Sequence, residues 1–194
     1  MVVGVIGAGT MGAGIAQVIA QNGDQVVLID LNSTVLEKAK QQHQNILNRL
    51  VEKGNITQEV SASVLQRITY SQDYNTLSPA SLVIEAIVED LEIKKKVFEA
   101  LEASVDDNCI LASNTSSLSI ASIGSCLKNS SRVIGLHFFN PAPLMPLVEI
   151  IPAVQTSEIT IARSTEWVNN WKKTAVLCKD TPGFIVNRVA RPFY

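Results

Sequence analysis

The chain has 194 residues, 46% of them hydrophobic and 18% charged, with a formal net charge of −2. A domain of this length buries roughly 70% of the surface its unfolded chain would expose, so a core forms without metal or disulfide staples. The small net charge argues against a polybasic surface for nucleic acid or membrane. No apolar run approaches the ~20 residues of a membrane span, and the N-terminus lacks the basic region of a signal peptide. Cys109, Cys126 and Cys178 are widely spaced and form no C-x-x-C pair. That pattern excludes a disulfide framework and suits a reducing cytoplasm. No metal ligand set is expected.

The predicted elements alternate along the chain. Val2 to Ile6 is a continuous apolar run with Gly7 behind it, the pattern of a parallel strand covered on both faces. Thr10 to Gln21 has helical spacing, and Gln25 to Asp30 is a second strand. Ser33 is the expected cap of a long helix that runs to about Lys53, with Gly54 as its stop. Its polar face holds Lys38, Lys40, Arg49 and Lys53, and His43 in the same helix reads as solvated. A shorter helix, Thr57 to Arg67, precedes a strand at Ile68 to Ser71. Strands then follow at Ser81 to Ala86, Cys109 to Ser113, Val133 to Phe138, Leu147 to Ile151 and Thr174 to Cys178. Helices are expected at Leu91 to Ala103, Leu118 to Leu127 and Glu158 to Lys172, and Gly183 opens a last helical pattern. Strands separated by helices define an α/β fold, a Rossmann-like, mostly parallel, doubly wound sheet with a helical hairpin after its second strand.

Gly7-Ala8-Gly9-Thr10-Met11-Gly12 matches G-x-G-x-x-G, follows a strand and opens a helix. Gly7 permits the tight turn, Gly9 lets backbone approach a pyrophosphate, and Gly12 lets helix and strand pack closely. The helix N-terminus offers free N–H groups and a positive dipole end to phosphate. Asp30 ends the second strand, where a carboxylate accepts the ribose hydroxyls and repels a 2′-phosphate. NAD is therefore the expected cofactor rather than NADP, with a flavin as the weaker reading.

His137 lies at the C-terminal end of its strand, the edge at which open α/β sheets bind ligands. A histidine there can accept and return a hydroxyl proton, or it can be structural. Glu149 favours the first reading, because a carboxylate inside an apolar strand needs a partner. Asn114-Thr115-Ser116-Ser117 reads either as a cap for the next helix or as donors facing nicotinamide and substrate. Asn140 is a turn residue or an amide ligand. Asn187 sits in a helical pattern that its propensity does not favour, and both roles stay open.

These pieces together resemble the N-terminal part of the 3-hydroxyacyl-CoA dehydrogenase family. The resemblance rests on the glycine motif with Ala13 to Gln17, on Val83-Ile84-Glu85-Ala86-Ile87-Val88-Glu89 and on Ala112-Ser113-Asn114-Thr115-Ser116-Ser117. It also rests on Gly135-Leu136-His137-Phe138-Phe139-Asn140-Pro141, Leu147-Val148-Glu149, and Pro182-Gly183-Phe184-Ile185-Val186-Asn187-Arg188. It implies a catalytic pair of His137 and Glu149, with Ser116 on the reacting oxygen of the substrate and Asn187 placing the acyl group. It implies that Asp30, Glu89, Lys94, Asn114, Ser116 and Asn140 meet NAD, beside the glycine turn with Thr10 and Met11, and that Lys53 meets the phosphates of an acyl-CoA. The implied reaction is oxidation of (S)-3-hydroxyacyl-CoA to 3-oxoacyl-CoA.

Pro146 is similar to multifunctional β-oxidation enzymes. The stretch Asn187 to Pro192 is similar to the phenylacetate-degradation branch, which acts on 3-hydroxyadipyl-CoA, so the acyl chain stays open. The resemblance also implies an NAD-binding domain over residues 1–181. Residues 182–194 would begin a helical domain that continues beyond this chain and pairs two subunits, with the apolar Phe193-Tyr194 end facing it. Two alternatives are a β-hydroxyacid dehydrogenase for free acids, whose relatives use a catalytic lysine, and a crystallin-like NAD-binding protein without turnover.

Overall fold

Eight strands form one sheet in the order β3-β2-β1-β4-β5-β6-β7-β8. The strands are β1 (Val2–Ile6), β2 (Gln25–Ile29), β3 (Ile68–Ser71), β4 (Leu82–Glu85), β5 (Ile110–Ser113), β6 (Val133–Phe138), β7 (Leu147–Pro152) and β8 (Thr174–Leu177). The structure is a computed structural model and describes residues 1–190; Arg191, Pro192 and the expected apolar end at Phe193-Tyr194 lie outside them. Every pairing is parallel except β6 with β7. The connection 139–146 is too short for the crossover that parallel strands need, so β7 runs back along β6.

Side chains alternate across this sheet and build two cores. Val3, Val5, Leu82, Ile84, Leu136 and Val148 point to one face, under α1 (Thr10–Gln21), α2 (Ser33–Glu52), α3 (Gln58–Gln66) and α6 (Glu158–Asn170). Ile6, Val83, Leu111, Val133 and Ile151 point to the other, under α4 (Leu91–Ser104) and α5 (Ile120–Gly124). The expected doubly wound architecture is therefore present. So is the helical hairpin, formed by α2 and α3 between β2 and β3.

Local expectations differ at several points. Asn32, not Ser33, caps α2: its side chain accepts the Thr34 N–H at 2.9 Å, while Asp30 Oδ1 accepts the N–H of Asn32 itself. The helix expected over Leu118 to Leu127 shrinks to α5. Thr115 Oγ1 takes the N–H groups of Ser117 and Leu118 in a local turn, so helix starts only after Ser119. The last helix, α7 (Val186–Ala190), begins later than Gly183, because Gly183 and Phe184 both have positive φ.

His43 is the largest correction. It is buried, not solvated. The Ala13 carbonyl of α1 can only accept, so His43 Nε2–H donates to it at 2.8 Å, and the Tyr70 hydroxyl donates to Nδ1 at 2.7 Å. One imidazole thus ties α2 to α1 and β3. Burial outweighs the pull of the Ala13 carbonyl and holds its pKa below the ordinary value.

The unfolded chain protonates this group near its ordinary pKa, whereas the folded state resists until a lower pH. The contribution of His43 is thus intact above about pH 6.5 and is lost as pH falls below it. Tm is expected to drop between about pH 7.5 and about pH 5.5, and to drop less in His43→Gln, which keeps the donor to Ala13 but does not titrate. Equal pH slopes in the two proteins, measured by thermal denaturation, would contradict this role.

Candidate functional site

The first half of the site is the turn between β1 and α1. Gly7 has φ +95°, a conformation that side-chain-bearing residues rarely adopt. A Cβ on Gly12 would lie 1.7 Å from the Gly7 carbonyl oxygen, so only glycine lets α1 descend onto β1 at this angle. A Cβ on Gly9 would meet nothing within 4 Å; its backbone faces open space. Gly9 is also the N-cap of α1, and no side chain caps that terminus, whereas Asn32, Thr57, Asp90, Ser119 and Ser157 cap α2 to α6. The first turn of α1 holds no acidic residue. A pyrophosphate therefore fits: free N–H groups, a positive dipole end and no acid within the first turn of the helix. Asp30 closes this half. Its Oδ2 accepts the Ala8 N–H at 2.9 Å, which draws the end of β2 onto the glycine turn.

The second half is a cleft of about 310 Å³ lined by Met11, Glu89, Asn114, Ser116, His137 and Asn140 together with Ala86, Ile87, Phe138 and Phe139. His137 and Glu149 sit opposite each other in the antiparallel register of β6 and β7, so both side chains emerge on the same face. His137 Nδ1 contacts Glu149 Oε2 at 2.7 Å, and the carboxylate is 1% exposed. A carboxylate accepts, so Nδ1 carries the proton of the neutral ring. Nε2 has no protein partner among the described residues. Phe139 and Phe184 pack on the ring at centroid distances of 4.5 and 5.7 Å. Glu149 Oε1 accepts the N–H groups of Ile185 and Val186 at the start of α7, at 3.0 and 2.9 Å.

Asn187, the next residue of α7, extends its amide to the Ser116 carbonyl at 3.4 Å. Ser116 is held by Glu89, whose Oε1 accepts the Ser116 N–H at 3.0 Å and the hydroxyls of Thr115, Ser116 and Ser117. Burial would raise the Glu89 carboxyl. The hydrogen bonds from Thr115, Ser116 and Ser117 and the Lys94 ammonium outweigh it and hold the pKa below the ordinary value. Asn114 Oδ1 accepts the Phe138 N–H at 2.8 Å, so this residue bridges β5 and β6 rather than capping a helix. Asn140 is exposed at the cleft rim.

Two of the expected site residues do not line this cleft. Lys94 is 1% exposed and sits behind Glu89 instead of in the cleft wall, paired with Glu85 at 2.6 Å. Lys53 ends α2 and lines a separate groove of about 560 Å³ with Arg49, Gln42 and the loop Asn140–Leu144. Two residues escape the sequence reading. Glu85 is a fully buried acid in an apolar strand, the same signal that singles out Glu149. Asp180 takes the Ser119 hydroxyl and the Ile120 and Ala121 N–H groups, fastening α5 to the segment before α7; an acid just before Thr181-Pro182-Gly183 is its only sequence mark. The cysteines offer no nucleophile. Burial pushes Cys109 up to about 12, and burial with the Glu149 carboxylate pushes Cys178 up to about 11. Among the described residues no cluster suits a metal ion, and no helix is long and apolar enough to cross a membrane.

A glycine-rich turn, an uncapped helix and an acid ending the second strand define a dinucleotide-binding domain of the doubly wound class. Residues 2–181 match the profile of the 3-hydroxyacyl-CoA dehydrogenase NAD binding domain, and the chain belongs to this family. NAD is its cofactor. The chain is 46% identical over 192 residues to 3-hydroxyadipyl-CoA dehydrogenase of Escherichia coli, covering 99% of this chain and 40% of that protein. It is 44% identical over 195 residues to a probable 3-hydroxyacyl-CoA dehydrogenase of Caenorhabditis elegans, covering 97% of this chain and 63% of that one. A solved 3-hydroxybutyryl-CoA dehydrogenase from Escherichia coli superposes with a TM-score of 0.98 at 45% identity, over 100% of this chain and 41% of that one. The chain thus spans about 40% to 63% of the length of the two curated relatives.

Gly12→Ala is expected to force α1 away from β1, costing about 2 kcal/mol or more of stability and at least about tenfold in NAD affinity. Calorimetric titration with NAD⁺ and denaturant unfolding check this; unchanged affinity in a folded variant would contradict the close-approach argument.

Proposed function

We propose that the complete protein is an NAD-dependent 3-hydroxyacyl-CoA dehydrogenase, converting (S)-3-hydroxyacyl-CoA and NAD⁺ into 3-oxoacyl-CoA, NADH and a proton. The observation that carries this reading is the 2.7 Å contact of His137 Nδ1 with Glu149 Oε2, with Nε2 left to the cleft. Bound NAD⁺ supplies the hydride acceptor. The chain's own residues handle the proton and the geometry. With Nδ1–H anchored on Glu149, the neutral ring offers its Nε2 lone pair to the substrate hydroxyl and takes its proton. The imidazolium so formed stays beside a carboxylate that stabilises it without taking the proton itself. In the reverse direction Nε2 returns the proton.

Ser116 Oγ, oriented by Glu89, hydrogen-bonds the reacting oxygen, and the Asn187 amide beside it orients the acyl group. Asp30 holds the adenosine ribose, and Glu89, Asn114 and Asn140 line the nicotinamide end, with Lys94 acting through Glu89. Lys53 takes a phosphate of coenzyme A; the exposed, basic end of α2 and the groove below it support this role. A helical domain beginning at residue 182 closes the site and pairs two subunits, in a cytoplasmic enzyme.

The test is NADH formation from (S)-3-hydroxybutyryl-CoA by the complete polypeptide. The wild type is expected to turn over the CoA ester and not free 3-hydroxybutyrate. His137→Gln is expected to lose on the order of 10³-fold in kcat with the Kd for NAD⁺ within about twofold. Turnover of the free acid alone, or wild-type kcat in the variant, would overturn the reading.

A further inference from the structure

Glu85 ends β4 in register between Ile6 of β1 and Ser113 of β5, with none of its surface exposed. An unpaired carboxylate at such a place would be strongly disfavoured, and this one is saturated. Its Oε1 accepts the Lys94 ammonium at 2.6 Å and the Ile87 N–H at 2.7 Å; its Oε2 accepts the Ser113 hydroxyl at 2.7 Å. Both branches lead to the cleft. Ser113 Oγ accepts the Thr115 N–H at 3.2 Å. Lys94 Nζ lies 3.5 Å from Glu89 Oε2, and Glu89 Oε1 holds the N–H and hydroxyl of Ser116. The segment from Thr115 to Ser117 therefore hangs on Glu85 from two sides.

The charges matter as much as the bonds. One ammonium faces two carboxylates, and it lies closer to Glu85 than to Glu89. Glu85 therefore takes most of the neutralisation, and Glu89 keeps a negative charge at the cleft wall, where its oxygen can hold the Ser116 turn.

We propose that Glu85 is a positioning residue of the reaction: by engaging Lys94 it leaves Glu89 anionic at the cleft, and with Ser113 it fixes the Ser116 turn. The inference rests on the dehydrogenase reading for its effect on turnover, but not for its effect on cofactor binding. An anionic Glu89 favours the oxidised nicotinamide, which is cationic, over the reduced ring, which is neutral. With a neutral residue at 85, Lys94 turns fully to Glu89, the local net charge rises from −1 to zero, and that preference weakens.

The experiment measures Kd for NAD⁺ and for NADH separately, with kcat, in the complete polypeptide. Glu85→Gln is expected to weaken NAD⁺ relative to NADH by roughly tenfold and to lower kcat. The double variant Glu85→Gln/Lys94→Met removes both buried charges and restores a single negative charge at Glu89. Its Kd ratio is expected to return to within about twofold of the wild type, while kcat stays at least about tenfold lower because the turn has lost its support. A residue that only stabilises the fold would lower Tm and move both affinities together, and that result in Glu85→Gln would overturn the proposal. Where Glu85→Gln alone does not fold, the double variant decides, and a wild-type kcat in it would overturn the proposal. Should the wild type fail to oxidise the CoA ester while the Kd ratio still shifts, the dehydrogenase reading falls and the positioning role toward cofactor stands.

Discussion

One carboxylate joins the sheet to the site. Glu149 receives three N–H groups: His137 Nδ1 on one oxygen, and the Ile185 and Val186 amides on the other. It can serve all three because an ionised carboxylate only accepts. Removing one of these donors leaves a buried charged acceptor short of a hydrogen bond, typically at about 1.5–3 kcal/mol. The position of the imidazole, the entry of α7 and hence the place of Asn187 against Ser116 all follow from this one side chain. It owes its own place to the register of β6 and β7, which sets residue 149 opposite residue 137.

The rest of the site is assembled at the same sheet edge by acids of different exposure and task. Asp30 and Glu89 stand at the surface and bind loop N–H groups that shape the cavity walls. Glu85 lies beneath and balances Lys94. Asp180 fastens α5 to the segment leading into α7. By contrast, the N-terminus of α1 has no side-chain acceptor at all, which leaves its dipole for an external anion. The division is electrostatic: these carboxylates take the protein's own donors around the site, and the end of α1 is left to the negative charge of the cofactor's phosphates.

The strands were legible because parallel, doubly covered strands read as near-continuous runs rich in Val and Ile without polar residues, as in Val2–Ile6 and Val26–Ile29. The His137 and Glu149 pair was legible because a polar residue inside such a run demands a partner. The same reasoning applied to Glu85 would have found the buried end of the Glu89 network. His43 could not be read in this way. Its helix carries a broad polar face, and its burial depends on Tyr70, 27 residues away, and on a carbonyl of α1. Lys94 came from the resemblance alone, and its pairing with Glu85 and Glu89 could not be read from its place on the helix without the same attention to Glu85. The short α5 escaped because hydroxyl-to-backbone bonds at Thr115 compete with helix at its start.

The proposed reaction depends on Glu149 holding His137 in the proton-accepting tautomer. The most direct measurement is kcat of Glu149→Gln in the complete polypeptide, with NAD⁺ affinity and Tm measured alongside. A glutamine amide presents one acceptor and one donor, so it can face either the imidazole or the α7 amides correctly, but not both. A fall in kcat on the order of 10³- to 10⁴-fold, in a folded protein that still binds NAD⁺, is the result expected. A folded variant with kcat within about threefold of the wild type would contradict it.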